Sequence, residues 1–385
     1  KTDQQQIIKY RNLAMQPECD AAIEDIVNES IVADDDSAPV SLKMDDLDQS
    51  DKIKKLIVEE FDTVVELLNM NWQGHDIFRR WYIDGRLYFH KIIDEKNPKG
   101  GIIELRNVDP IKIRKIREVK EEKDPTTGTK MIKGVKEYYL YQNNTMSKSS
   151  QGLKISKDAI TYVTSGVLDP TRKRVLSYLD KAMKTTNQLR MLEDSLVIYR
   201  LSRAPERRIF YIDVGNLPKG KAEEYLRNIM TKYRNKLVYN ASTGEMQDDR
   251  KHMSMLEDFW LPRREGGRGT EITTLPGGEN LGQIDDIVYF QKKLYKSLNV
   301  PSNRLEQEAQ FSLGRSSEIT RDELKFQKFI NRLRKRFSML FMDLLQTQLV
   351  LKGIVTEDEW MEMKQFINID YQKDTHFSEL KESEL

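Results

Sequence analysis

From Thr320 to Lys352 the chain runs without a proline or a glycine, and no other feature constrains its fold as tightly. Thr320-Arg-Asp-Glu323 has the capping-box pattern, in which a hydroxyl and a carboxylate satisfy orphan amides at a helix start. A long helix is therefore predicted from there to Leu351. Leu324, Ile330, Leu333, Phe337, Leu340, Phe341, Leu344 and Leu345 recur at helical spacing and are expected to face inward. Arg321, Lys325, Lys328, Arg332 and Lys335 recur at steps of three or four and form one basic stripe. Such a stripe is either a solvated face with acidic neighbours or a surface that meets phosphates or a neighbouring subunit's carboxylates. Spacing alone favours neither.

Upstream, Ile284 to Leu298 predicts a shorter helix. It stops at Asn299-Val-Pro301, because the residue before a proline is pushed out of helical geometry. Between the two helices lies Ser302 to Ser316, polar apart from Leu305, Phe311 and Leu313, with Gly314 as a flexible point. Two helices joined by a polar loop suggest a mechanical element with something passing beside it, not a catalytic constellation.

Composition sets the outer bounds. A chain of 385 residues exceeds what one core holds, so two or more subdomains are expected. It opens on Lys1, not Met, so the native N-terminus is expected upstream. Lys and Arg total 63 against 62 Asp and Glu, a balance that argues against a static grip on nucleic acid and suits a conduit. Cys19 stands alone and forms no internal disulfide, as in a reducing compartment. No signal peptide is evident, and no run approaches the roughly 18 apolar residues of a membrane helix. The most apolar stretch, Phe337 to Leu351, is interrupted by Asp343, Gln346 and Gln348.

Elsewhere, helical spacing marks residues 1–30 with a break near Pro17, Lys52 to Asn69, and Trp72 to Ile83 ahead of Gly85. A short strand is expected around Val40. Arg86 to Ile93 and Gly101 to Val108 read as a hairpin, and Ile111 to Val119 pairs with Val135 to Tyr141 around a charged tip. Asp169-Pro170 reads as the start of another helix, with Asp as cap and Pro at the first position, running to Ser202. Arg208 to Val214 is a predicted strand and Lys221 to Leu237 a helix, and residues 240–283 read as irregular. Trp72, Trp81, Trp260 and Trp360 are expected as core or interface anchors.

Gly215-Asn-Leu-Pro-Lys-Gly-Lys221 has P-loop spacing between a strand and a helix. It fails at Ala222, which has no hydroxyl for magnesium, and at Pro218, which removes a backbone donor. Four scattered histidines and one cysteine offer no metal cluster, and no Ser/His/Asp arrangement is evident, so neither cofactor nor enzyme activity is expected. A nucleotide-hydrolysing motor subunit built on Gly215 to Lys221 is the alternative.

Four stretches carry a resemblance: Glu104-Leu-Arg-Asn-Val-Asp-Pro-Ile-Lys-Ile-Arg-Lys-Ile116, Gly166-Val-Leu-Asp-Pro170, Arg203-Ala-Pro-Glu-Arg-Arg-Ile-Phe-Tyr-Ile-Asp-Val-Gly215 and Leu298-Asn-Val-Pro301. In wording and order the chain resembles the portal (head–tail connector) proteins of tailed bacteriophages, T-even type. The resemblance implies an α+β portal fold with long stem helices, small antiparallel sheets in a wing, an α/β clip and a helical crown. On that pattern the wing begins with residues 1–185, the stem helices are 186–204 and 284–301, and the clip is 205–283. Residues 302–355 are then the tunnel loop with its long helix, and 356–385 the crown. The implied function is a channel at one capsid vertex for DNA entry during packaging and exit during ejection. The implied partners are eleven further copies in a ring of twelve, the large terminase ATPase, the major capsid and scaffold proteins, the neck and tail connectors, and double-stranded DNA passing non-specifically. The implied location is the unique head vertex of the virion, after assembly in the host cytoplasm, at the inner membrane face if membrane is involved. Asn303, Arg304, Glu306, Gln307, Glu308, Gln310, Arg315, Arg321 and Lys325 are expected to face the channel. Arg263, Arg264 and Arg268 are expected to dock the motor.

Overall fold

The computed structural model describes residues 3–32, 38–123, 130–142, 152–203, 207–233, 237–239, 246–248, 259–263, 270–275, 283–304 and 313–372. The chain divides into two units, residues 1–183 with 293–385, and residues 184–292. In the first unit, helices α1 (Asp3–Ala14) and α2 (Pro17–Ser30) bury Ile7, Leu13, Ala22, Ile23, Ile26 and Val27, whose spacing predicts them, and Tyr10 besides, whereas Ile8, expected with them, is exposed. After strand β1 (Val40–Lys43), helix α3 (Asp51–Leu67) starts where the Ser50 hydroxyl accepts the Ile53 amide. Helix α4 (Met70–Asp84) ends on Gly85, whose φ of 70° suits a residue without a side chain. A Cβ there would stand 2.7 Å from the Leu176 carbonyl oxygen.

Strands β2 (Arg86–Ile93), β3 (Ile102–Val108), β4 (Ile113–Lys123), β5 (Lys130–Tyr141), β6 (Leu153–Ser156) and β7 (Ile160–Thr164) form two antiparallel sheets. Their orders are β3-β2-β7 and β4-β5-β6. Tyr88, Ile113, Tyr139 and Ile160 join the two sheets in one cluster, with Tyr88 stacked on Tyr162 at 4.6 Å.

The helix expected from Asp169 begins only at Met183, as α5 (Met183–Arg203). Asp169 caps a loop instead: its carboxylate accepts the amides of Lys173 and Arg174. Leu168 bridges Val175, and Arg172 takes a left-handed φ of 55°. A proline at a favourable first position does not carry a helix when the cap's oxygen is spent on turning the chain back.

The second unit continues with β8 (Arg207–Asp213), α6 (Lys219–Tyr233), β9 (Leu237–Tyr239), β10 (Met246–Asp248), β11 (Phe259–Arg263), β12 (Glu271–Leu275) and most of α7 (Asp285–Ser297). The stretch 240–283, expected to be irregular, thus contributes strands: β11 pairs parallel and β12 antiparallel with β8. Pro262 masks β11 from a sequence reading, yet an edge strand tolerates a residue that cannot donate.

Back in the first unit, α8 (Leu313–Phe337) starts earlier than the capping-box pattern predicts, and it is followed by α9 (Met339–Lys352). The single long helix is interrupted at Ser338. Its hydroxyl donates to the Arg334 carbonyl at 2.8 Å, and the Tyr371 hydroxyl donates to the same carbonyl at 3.0 Å. The same carbonyl keeps the Ser338 amide at 2.8 Å, so three donors converge on it where the two helices meet. Leu324, expected inside, is 55% exposed, while Phe326 and Phe329 are buried. Helix α10 (Glu357–Met363) has the full capping box at Thr356 and Glu359. The tail then forms β13 (Asn368–Tyr371), antiparallel to β1, where helix was expected.

Phe61, Phe78, Trp81, Phe337 and Phe341 make the aromatic centre, with Leu340, Leu344, Leu345 and Leu349 fully buried along α9. The polar interruptions of that apolar run are tethers. Asp343 accepts from Thr161 at 2.6 Å and from buried Lys91 at 3.3 Å. Gln348 accepts the Ile102 amide and donates to Glu60, both at 2.8 Å. Trp81 and Trp360 are core residues, whereas Trp72 is 86% exposed.

Candidate functional site

The outer face of α8 gathers five cations. Arg321, Lys325, Lys328, Arg332 and Lys335 are all exposed, while Phe326, Phe329, Ile330 and Leu333 face the core. Lys325 pairs with Asp322 at 3.0 Å, a surface contact of small energy. Arg332 lies 5.9 Å from the Phe329 ring. Among the described residues, Arg321, Lys328 and Lys335 pair with no carboxylate. The stripe therefore presents uncompensated positive charge.

Arg304 behaves differently. Its guanidinium donates to Glu323 at 3.0 and 3.2 Å, lies 3.7 Å from Glu29 and sits 4.5 Å over the Phe326 ring. Burial works against its charge, but the Glu323 hydrogen bonds and the nearby carboxylates outweigh it and raise its pKa. Burial raises the pKa of Asp25 beside this group. Arg304 thus ties residues 302–304 to α2 and α8, and Asn303 is half-buried next to it. Glu306, Gln307, Glu308 and Gln310, and the side chain of Arg315, lie outside the described residues.

In the second unit, Arg263 donates to Glu271 at 2.8 Å and covers the Tyr211 ring at 4.8 Å, spanning the sheet through β8. Arg264 and Arg268 lie outside the described residues. The P-loop-like turn does stand between a strand and a helix, β8 and α6. Its Gly215 amide, however, is taken by the Asp213 carboxylate at 2.8 Å, and Ala222 is buried. A carboxylate held in the loop opposes phosphate there.

Sequence reasoning missed two basic groups. Arg334 is buried and donates to the carbonyls of Ser30 at 2.9 Å and Glu29 at 2.8 Å, where α2 ends without a basic residue of its own. Burial lowers its pKa. Its position on the apolar face of α8 was the available signal. Arg336 donates to the Thr164 carbonyl at 3.1 Å and hydroxyl at 2.9 Å, and borders a cavity of about 440 Å³. Lys181 and Arg332 line the same cavity, with Leu298, Phe329 and Leu333. Gly166, at φ 76°, leaves room for Arg336: a Cβ there would stand 2.9 Å from the guanidinium carbon. Among the described residues no group of three or more His, Cys, Asp or Glu is placed to hold a metal, and no helix is long and apolar enough to cross a membrane. Burial pushes the Cys19 thiol up to about 12, away from reactivity.

Comparison with known proteins bears on this geometry. The chain matches the family described as "Bacteriophage T4-like portal protein (Gp20)" over residues 3–385. It is 45% identical to the portal protein of Vibrio phage KVP40 over 396 aligned positions, covering 98% of this chain and 76% of that one. It is 37% identical to the portal protein of Salmonella phage ViI, covering 97% of this chain and 70% of the relative. A chain from the solved structure "Neck of native GTA particle computed with C12 symmetry" aligns over 94% of this chain and 81% of its own, with 12% identity and a TM-score of 0.49, too slight to carry an inference.

Proposed function

We propose, because this chain belongs to the family of T4-like bacteriophage portal proteins, that it closes into a ring of twelve at one capsid vertex and forms the channel for DNA entry and exit. The observation that supports a channel wall is the outer face of α8, where basic side chains stand exposed along the helix that follows the polar loop. Among the described side chains of residues 303–325, Arg321 and Lys325 are the cations open to passing phosphates, whereas Arg304 anchors the loop. A few exposed cations, each screened by salt, touch a sliding duplex without holding it. The remaining loop residues, Glu306 to Arg315, complete that wall, and Arg263, Arg264 and Arg268 form part of the surface that receives the packaging ATPase. Capsid, scaffold and neck proteins engage the same ring, which carries no chemistry of its own.

The test replaces Arg321 and Lys325 with Gln. Rings should assemble at wild-type yield while packaged or retained DNA falls severalfold. Lost assembly would make this face a structural joint, and unchanged packaging by normally assembled rings would remove it from the channel.

A further inference from the structure

The cavity at Lys181, Arg332 and Arg336 is lined by three cations and no carboxylate. Its hydroxyls are spent on the chain's own carbonyls: Ser165 donates to Leu176, Ser177 to Tyr82, Tyr178 to Ser165 and Ser297 to Leu294. The charge that remains is all positive. Lys181 and Arg332 are exposed, and Arg336 keeps donors beyond the two given to Thr164. No carboxylate lines the cavity, and among the described residues none pairs with these three cations. The Asn299 backbone, held left-handed at φ 62°, closes one wall.

We propose that this cavity is a socket for an acidic side chain of the neighbouring copy of this chain. The inference rests on the ring reading above, since a rotational joint places one surface of each subunit against a different surface of the next. Charge points to the same occupant. The chain is balanced at 63 basic to 62 acidic residues, so three cations left without acids here leave acids unmatched elsewhere on the same chain. A ring lets each subunit supply both halves. Shape favours a side chain over a DNA phosphate. A duplex is a broad convex rod, whereas the cavity is walled and partly apolar, with Leu298, Phe329 and Leu333 in its lining. An aspartate or glutamate brings methylene groups for that wall and a carboxylate for the guanidinium of Arg332, whose planar fork suits it.

The experiment uses the full chain assembled into rings. Carbodiimide treatment activates a carboxylate, and the Lys181 amine then attacks it, forming an amide and releasing the urea. Mass spectrometry should find Lys181 joined to an Asp or Glu of another copy, seen as a dimer-sized species, and Lys181→Arg should remove that product. The double variant Lys181→Glu with Arg332→Glu should raise the subunit concentration for half-assembly by about tenfold or more, with the subunit's circular dichroism unchanged. Normal assembly of that variant, or the absence of any cross-copy Lys181 product in wild-type rings, overturns the socket. Normal assembly with reduced DNA packaging also overturns it, in favour of a phosphate occupant. Wild-type protein that never closes a ring fails at the ring reading, before any Lys181 chemistry is read, and takes the socket with it.

Discussion

Arg332 and Arg334 flank a single leucine on α8, and they do opposite things. Arg332 stands in solvent on the basic stripe, while Arg334 is buried and donates to the last carbonyls of α2. The same contrast recurs on β2, where Lys91 is buried against Asp343 and Thr347 while its neighbour His90 is half-exposed opposite Arg106. Charge type and local spacing are nearly the same within each pair. What differs is whether the side chain meets a carbonyl or carboxylate of a distant segment or meets water. Inner charges therefore tie segments of the fold together, and outer ones face solvent.

The largest effect that tests this contrast removes its apolar support. Phe337 is fully buried and packs against Phe78, Trp81 and Phe341. Phe337→Ala should cost about 3–5 kcal/mol, through lost transfer energy plus the cavity left behind. Urea unfolding of the subunit measures it. A loss below about 1 kcal/mol would mean that α8 is not seated on the core.

Next in size is the direct comparison. Arg334→Met should cost about 2–3 kcal/mol, because it strips charged hydrogen bonds from two carbonyls and leaves them buried at the end of α2. Arg332→Met should stay within about 0.5 kcal/mol of wild type in the isolated subunit. Equal effects in thermal denaturation would erase the distinction between the two faces.

Much of this was legible in the chain. The faces of α3, the β2–β3 hairpin and the exposed basic stripe follow from spacing, since local periodicity and burial agree there. The misses share a cause. The Tyr371 hydroxyl reaches the Arg334 carbonyl beside Ser338, and β13 depends on β1, partners remote in sequence. The late start of α5 depends on Asp169 spending its carboxylate on a loop instead of a helix start. The tie of Arg304 to α2 was not legible because Glu29 is far off in the chain. Asp343 and Gln348 looked like interruptions for the same reason, although a polar residue inside an apolar helical face is a signal of a buried tether.

The smallest effect sharpens the contrast on β2. Burial, with Arg106 adding to it, lowers the pKa of His90 below its ordinary value. The unfolded chain then binds more protons than the folded one between the two values, so stability rises with pH through that window. It is fully present above the ordinary histidine pKa and is lost as pH falls through that value towards the folded one. Because the ring is largely solvated, screening holds the effect to about 0.5 kcal/mol or less. Denaturant titration at pH 7.5 and pH 5.5 should show wild type losing that much more than His90→Gln on acidification. The comparison has its reference on the same strand, where Lys91, on the other face, lies 3.3 Å from Asp343. If His90→Gln shows the same pH dependence as wild type, the charge of His90 is fully solvated, and the boundary between inner and outer faces lies one residue deeper along β2.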